Sequence, residues 1–264
     1  MSVISIRDLN LTVTTGSAEK HILRDVSFDL EAGKITGVAG ASGSGKTQTG
    51  LAIMGLSPDR STLSGSIDFA GTELVGLPSK KHNRLRGRQL AMVFQDPSSA
   101  FHPMLSIGDQ ITDHLRHHRK VSKKEALGQA IRILGQTKVP YPEEAVSKYP
   151  HQFSGGQLQR IAFASAIICE PKVLIADEPT TALDVTVQAG ILRLLRELCD
   201  DLNLAVLLVT HDFGVLSSVA DTIVVMESGL VVETGDREPL ITAPQHEYTR
   251  SLIESLPGAE VSPR

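Results

Sequence analysis

The residues Ile35 to Ala39, followed at once by GASGSGKT (Gly40 to Thr47), constrain this chain more than any other stretch. Ile35 to Ala39 is largely apolar, as a strand buried on both faces of a sheet should be. The next eight residues fit G-x-x-x-x-G-K-[ST]. In that pattern the glycines let backbone N–H groups wrap a phosphate, the lysine supplies charge between the β- and γ-phosphates, and the Ser/Thr hydroxyl reaches Mg2+. Gly40, Ser42, Gly43, Ser44, Gly45, Lys46 and Thr47 are therefore the candidate nucleotide-binding residues. At ordinary glycine usage of ~7%, a chain of this length matches the pattern by chance roughly one time in a hundred. A strand before it and a helix after it, here expected from Lys46 to about Met54, complete the context that the motif requires. The competing reading is a glycine-rich turn that only caps a helix.

A second segment, VLIADEP, supplies carboxylates. Val173 to Ile175 read as a buried strand that delivers Asp177 to a sheet edge, where a carboxylate can hold Mg2+ through water. Glu178 follows and can polarise an attacking water. An Asp-Glu pair at a strand end is common, so its weight comes from the phosphate loop upstream. Two other buried strands end in polar residues: Gln95 follows AMVF and His211 follows LLVT. The carboxyl edge of a parallel sheet is where ligands bind. There Gln95 can sense Mg2+ or the attacking water, and His211 can contact the γ-phosphate. The expected metal set is Thr47, Gln95 and Asp177, and the expected catalytic set is Glu178, His211 and Gln95.

Strands alternate with helices along most of the chain, which implies an α/β fold with a mostly parallel sheet. SVISIRDLNLTV and the residues from Asp25 to Leu30 alternate as half-buried antiparallel strands do, and GSIDFAG is a further short strand. Lys80 to Arg88 read as a basic turn region. From about 97 to 161 the pattern changes to helical spacing, which marks an inserted helical subdomain inside a core formed by 1–96 and 162–264. Val185 to Leu202 is a strong amphipathic helix, and PQHEYTRSLIESLP is a short one.

Composition excludes several functions. A net charge of −4 and a pI near 6.1 give no global basic footprint for nucleic acid. The two cysteines, Cys169 and Cys199, fall in apolar helical patterns and read as reduced core residues. The start lacks an apolar leader and the apolar runs are far short of the ~18 residues that span a bilayer. The expectation is a cytoplasmic chain, peripheral to a membrane only through a partner.

A third loop, FSGGQLQR, resembles a phosphate loop without its lysine. GASGSGKT, VFQDP, FSGGQLQR, LIADEPTTALD and LLVTHD occur in the order and spacing of the ATP-binding cassette family, and the resemblance covers essentially the whole chain. It implies a RecA-like P-loop core, an antiparallel β-subdomain and an inserted α-helical subdomain. It also implies ATP and Mg2+ as ligands and a head-to-tail dimer with two ATPs sandwiched between the cassettes. Ser154, Gly155, Gly156 and Gln157 would then serve in trans, on the γ-phosphate held by the partner's loop, and Asp184 would lie across the same interface. The physics agrees, because a glycine turn at a helix N-terminus stabilises an anion without a lysine. Val13 stands near the position where the family stacks an aromatic on adenine.

Within the family, the peptide and nickel importer branch is the most similar. DEPTTALDVTVQ, RLRGRQLAMVFQDPSSAFHP and above all the tail, with Pro244, His246, Tyr248, Thr249 and Arg250, carry that likeness. It implies an energy-coupling ATPase at the cytoplasmic membrane face. The implied partners are a second, paralogous ATPase subunit, two transmembrane permeases and, indirectly, an extracytoplasmic binding protein. No nucleic acid and no iron–sulfur cluster are expected. A non-transport cassette, such as a component of a phosphonate-breakdown complex, is the alternative. His114, His117 and His118 share a helical face and offer a metal site, against which a solvated face is the better reading.

Overall fold

The computed structural model describes residues 2–16, 18–181 and 183–255. They form two compact units, one of described residues within 2–82 and 205–255 and one within 83–204. The helical block at 97–161 falls wholly within the second unit.

The first unit holds two sheets. One is antiparallel, with strand order β2-β1-β4-β5, formed by β1 (Ser2–Thr15), β2 (Ala18–Glu31), β4 (Ser61–Phe69) and β5 (Thr72–Glu73). Its strands alternate because one face is covered: Ile4, Ile6, Leu9 and Leu11 are fully buried while their neighbours are not. The second sheet is built on β3 (Lys34–Ala39), which pairs in parallel with β8 (Ala205–Val209) on one side and β9 (Thr222–Glu227) on the other. β10 (Leu230–Asp236) closes it antiparallel to β9. β8 is buried at every position, as a central parallel strand should be. α1 (Lys46–Ile53) leaves β3, and α9 (Arg237–Thr242) and α10 (Glu247–Glu254) follow β10.

The second unit contains the parallel pair β6 (Leu90–Val93) and β7 (Val173–Asp177) with its helices. These are α3 (Ile107–His118), α4 (Lys123–Gln136), α5 (Pro142–Ala145), α6 (Gly155–Ile167) and α7 (Val185–Leu202). Ser106, Ser122, Ser154 and Asp184 each accept a backbone N–H at the start of α3, α4, α6 and α7. The prolines between α4 and α6 give α5 and one 3-10 turn, Pro150–Gln152.

Three helices depart from the sequence reading, among them α9, whose six residues bury only Leu240 and so show no apolar period. The basic stretch expected as a turn region contains α2 (Ser79–Leu85), which buries only His82 and so shows no apolar periodicity. α8 (Phe213–Val219) was not expected after His211. It starts because the Asp212 carboxylate accepts the N–H groups of Gly214 and Val215, at 2.8 and 3.2 Å. Among the described residues no helix is long and apolar enough to cross a membrane.

One side chain ties the loop after α8 to β3. Asp221 Oδ2 accepts from Ile35 N at 2.7 Å, and Asp221 N donates to Ile35 O at 2.8 Å. Removing the carboxylate leaves a buried N–H unsatisfied. Asp221→Ala should lower unfolding free energy by about 1–3 kcal/mol, read as an earlier urea midpoint at unchanged slope.

Gly156 sits equally tightly. A Cβ there would lie 2.6 Å from Val187 Cγ1, so α6 reaches α7 only because the position carries no side chain. Gly156→Ala should destabilise by about 1–3 kcal/mol, and Val187→Ala in the same chain should recover part of that loss in the same urea titration.

Candidate functional site

In the first unit, β3 ends at Ala39 and the chain turns through Gly40 to Gly45 into α1. Three of these positions need glycine. Gly40, Gly43 and Gly45 have φ of 150°, 81° and 105°, a region that other residues rarely adopt. Gly40 also lacks space, since a Cβ would lie 2.1 Å from the Met226 carbonyl oxygen. A Cβ on Gly45 would lie 2.8 Å from Leu23 Cδ2. Lys46 is buried, and its Nζ donates to the carbonyls of Gly40 and Ala41 at 2.7 and 2.9 Å. The Ser44 carbonyl accepts from Gly229 N at 3.1 Å, which ties the loop to the β9–β10 turn.

This cradle fits a phosphate. The Ser44 hydroxyl is buried with no partner in the described residues, and the first turn of α1 presents N–H groups that have no intrahelical acceptor. Ser42 and Thr47 are exposed at its mouth. His211 is in the same unit, exposed directly after Thr210 at the end of the β8 strand segment.

In the second unit, β7 ends with Asp177 buried. Glu178 follows with φ of 46°, left-handed for a residue with a side chain. Such a conformation costs on the order of 1–3 kcal/mol and is concentrated at functional sites. Gln95 Nε2 donates to Glu178 Oε2 at 3.2 Å, and Thr181 Oγ1 donates to the same oxygen at 2.8 Å. The structure therefore brings together Gln95 and Glu178, two residues 83 positions apart in sequence. Thr181 is a partner that the sequence reading missed, although it stands in the TTALD run. The hydroxyl of Thr47, the amide oxygen of Gln95 and the carboxylate of Asp177 are hard oxygen donors, the kind that suits Mg2+.

The FSGGQLQR loop is also in the second unit. Ser154 and Gln157 form a capping box: Gln157 N donates to Ser154 Oγ at 3.4 Å, and Ser154 N donates to Gln157 Oε1 at 3.0 Å. Ser154 and Gly155 are exposed, so the helix N-terminus faces outward from its own unit. Packing on Val187 accounts for glycine at position 156. Asp184 is exposed too, and its Oδ1 accepts the N–H groups of Thr186 and Val187 at 3.1 and 3.0 Å.

The three histidines of α3 do not form a metal site. Among the described residues no group of three His, Cys, Asp or Glu is arranged to hold a metal. His118 instead meets His114 and His117 edge-on, with ring centroids 5.1 and 4.9 Å apart. The face is only partly solvated, because His114 and His118 fold over Gly87, where a Cβ would lie 2.6 and 2.7 Å from their rings. Burial, together with the neighbouring His118 and His117, holds His114 below the ordinary imidazole range.

Comparison with known proteins adds to this geometry. A family model described as ABC transporter matches residues 23–181. The dipeptide transport ATP-binding protein DppD of Bacillus subtilis is 44% identical, over 99% of this chain and 80% of that protein. The oligopeptide transport ATP-binding protein OppD of Salmonella typhimurium is 41% identical, over 98% of this chain and 79% of that protein. Among solved structures, the dimeric post-hydrolysis state of the ATP-binding cassette MJ0796 bound to ADP and Pi has a TM-score of 0.79 at 26% identity, covering 89% of this chain and 99% of that one. A cassette of the cbiONQ complex, cbiO1 from Clostridium perfringens, gives 0.77 at 26% identity over 92% of this chain and 91% of that one. With a phosphate cradle on β3 and a carboxylate pair ending β7, this chain belongs to the ABC transporter family and is an ATP-binding cassette of the ATP-hydrolysing kind.

Proposed function

We propose that this chain hydrolyses ATP to drive import of di- and oligopeptides through membrane permeases. The observation that carries the peptide reading is the match to proteins named for dipeptide and oligopeptide transport over 97–99% of this chain. It favours peptides over nickel as the cargo. A second, paralogous cassette, two transmembrane permeases and an extracytoplasmic binding protein complete the assembly, at the cytoplasmic face of the membrane.

The chemistry divides among named residues. The N–H groups from Gly43 to Thr47 hold the β-phosphate, and Lys46 exchanges its carbonyl partners for phosphate oxygens. Thr47, Gln95 and Asp177 would supply oxygen donors to Mg2+, which would offset charge on the phosphates. Glu178 polarises the attacking water. The bonds from Gln95 and Thr181 to Oε2 fix the direction of its carboxylate, so orientation is set before ATP arrives. His211 contacts the γ-phosphate. Ser154, Gly155, Gly156, Gln157 and Asp184 serve the partner's nucleotide, and the outward-facing end of α6 supports that assignment.

In the assembled complex, Glu178→Gln should cut ATP turnover by about 10²- to 10⁴-fold, while equilibrium binding of ATP is retained. Turnover within a few-fold of the parent would remove Glu178 from the chemistry.

Ser154→Asn keeps an N-cap acceptor for α6 and removes the hydroxyl. Hydrolysis at the partner's phosphate loop should fall about tenfold or more, with ATP bound at Lys46 of this chain undisturbed. Loss of binding at Lys46 itself would contradict the trans assignment.

A further inference from the structure

The tail from Pro244 to Arg250 is a built structure. The Glu233 carboxylate on β10 accepts the N–H groups of Gln245 and His246 at 2.8 and 3.0 Å. Burial would raise its pKa, yet these bonds, with the neighbouring Thr249 and His246 side chains, outweigh burial and hold Glu233 below the usual carboxylate range. Arg250 donates to the carbonyls of Pro244 and Gln245 at 3.1 and 2.8 Å. His246 Nδ1 accepts from Tyr248 N at 3.2 Å and starts α10. Thr249 is fully buried. The tail residues thus anchor α10 to its own approach and to β10.

Tyr248 does something different. Its hydroxyl oxygen accepts from Ala41 N, the second residue of the phosphate loop, at 2.9 Å across 207 positions of sequence. The carbonyl of the same residue accepts from Lys46 Nζ at 2.9 Å and from Ser44 N at 3.2 Å. Ala41 is held at both of its backbone polar groups, by Tyr248 on one and by Lys46 on the other. When Lys46 turns to phosphate oxygens, the Lys46 bond to the carbonyl is the one that weakens. The Tyr248 bond does not depend on Lys46 and remains.

We infer that Tyr248 is a positioning residue for ATP binding: it holds Ala41, and through it the entrance of the phosphate loop, in the binding shape while Lys46 changes partners. This rests on the reading of Gly40–Thr47 as the ATP phosphate site. It gives the tail of this chain a role at the nucleotide, in addition to packing.

The test is Tyr248→Phe in the full chain, which keeps the ring and removes only the hydroxyl. ATP affinity is measured by calorimetric titration, thermal unfolding is followed without nucleotide, and Lys46→Ala is titrated alongside. Because the lost bond is exposed, its removal should weaken ATP binding about three- to tenfold and leave the nucleotide-free unfolding midpoint in place. In the assembled complex KM for ATP should rise by the same factor with kcat retained. Unchanged ATP affinity in Tyr248→Phe, with binding abolished in Lys46→Ala, would overturn the role of Tyr248 and leave the phosphate site standing. Affinity and unfolding midpoint falling together would reduce Tyr248 to packing and also overturn it. Full ATP binding in Lys46→Ala would remove the phosphate site and the inference with it.

Discussion

The phosphate cradle depends on a shortage of space at Gly40. β3 is flanked on both sides by parallel strands, so its backbone cannot shift sideways. Directly at its end the Met226 carbonyl occupies the place where a Cβ would stand. The chain can only continue as glycine with positive φ, and the loop that follows is pressed against β2 and the β9–β10 turn. That pressure buries Lys46 and turns its ammonium back onto its own loop carbonyls. A buried cation needs close partners. The loop carbonyls of Gly40 and Ala41 fill that role.

The carboxylate end follows a different logic. Glu178 takes a left-handed backbone that its side chain disfavours, and two hydrogen bonds then fix its carboxylate. Backbone strain and side-chain orientation together hold one oxygen in a set direction, as the role proposed for Glu178 requires. The FSGGQLQR loop is held with equal economy. Its serine and glutamine cap each other at the glycine N-terminus of α6.

Much of this was legible in the sequence where the signal was local. GASGSGKT, DEP and SGGQ name residues whose neighbours in sequence are also their neighbours in space, so strand, turn and helix could be read directly. Gln95 was legible because it ends an apolar run, although its bond to Glu178 was not. Features that rest on single long-range contacts were invisible. α2 buries one histidine and shows no period. α8 begins on an Asp212 cap, inside a run that reads as the end of a strand. β2 begins at Ala18, well before the alternation from Asp25, because its first residues are charged and exposed while paired with β1. The Tyr248 contact joins residues 207 apart. The tail pattern signalled that something was specified there, but not what it touched.

The central claim is that ATP held by this chain powers peptide uptake. The direct measurement is accumulation of a labelled short peptide in vesicles carrying the assembled complex and its binding protein, with ATP supplied on the cassette side. Uptake should require ATP, fail with a non-hydrolysable analogue, and be abolished when Lys46→Ala replaces this subunit. Peptide accumulation at the parent rate with Lys46→Ala, or without ATP, would contradict that claim.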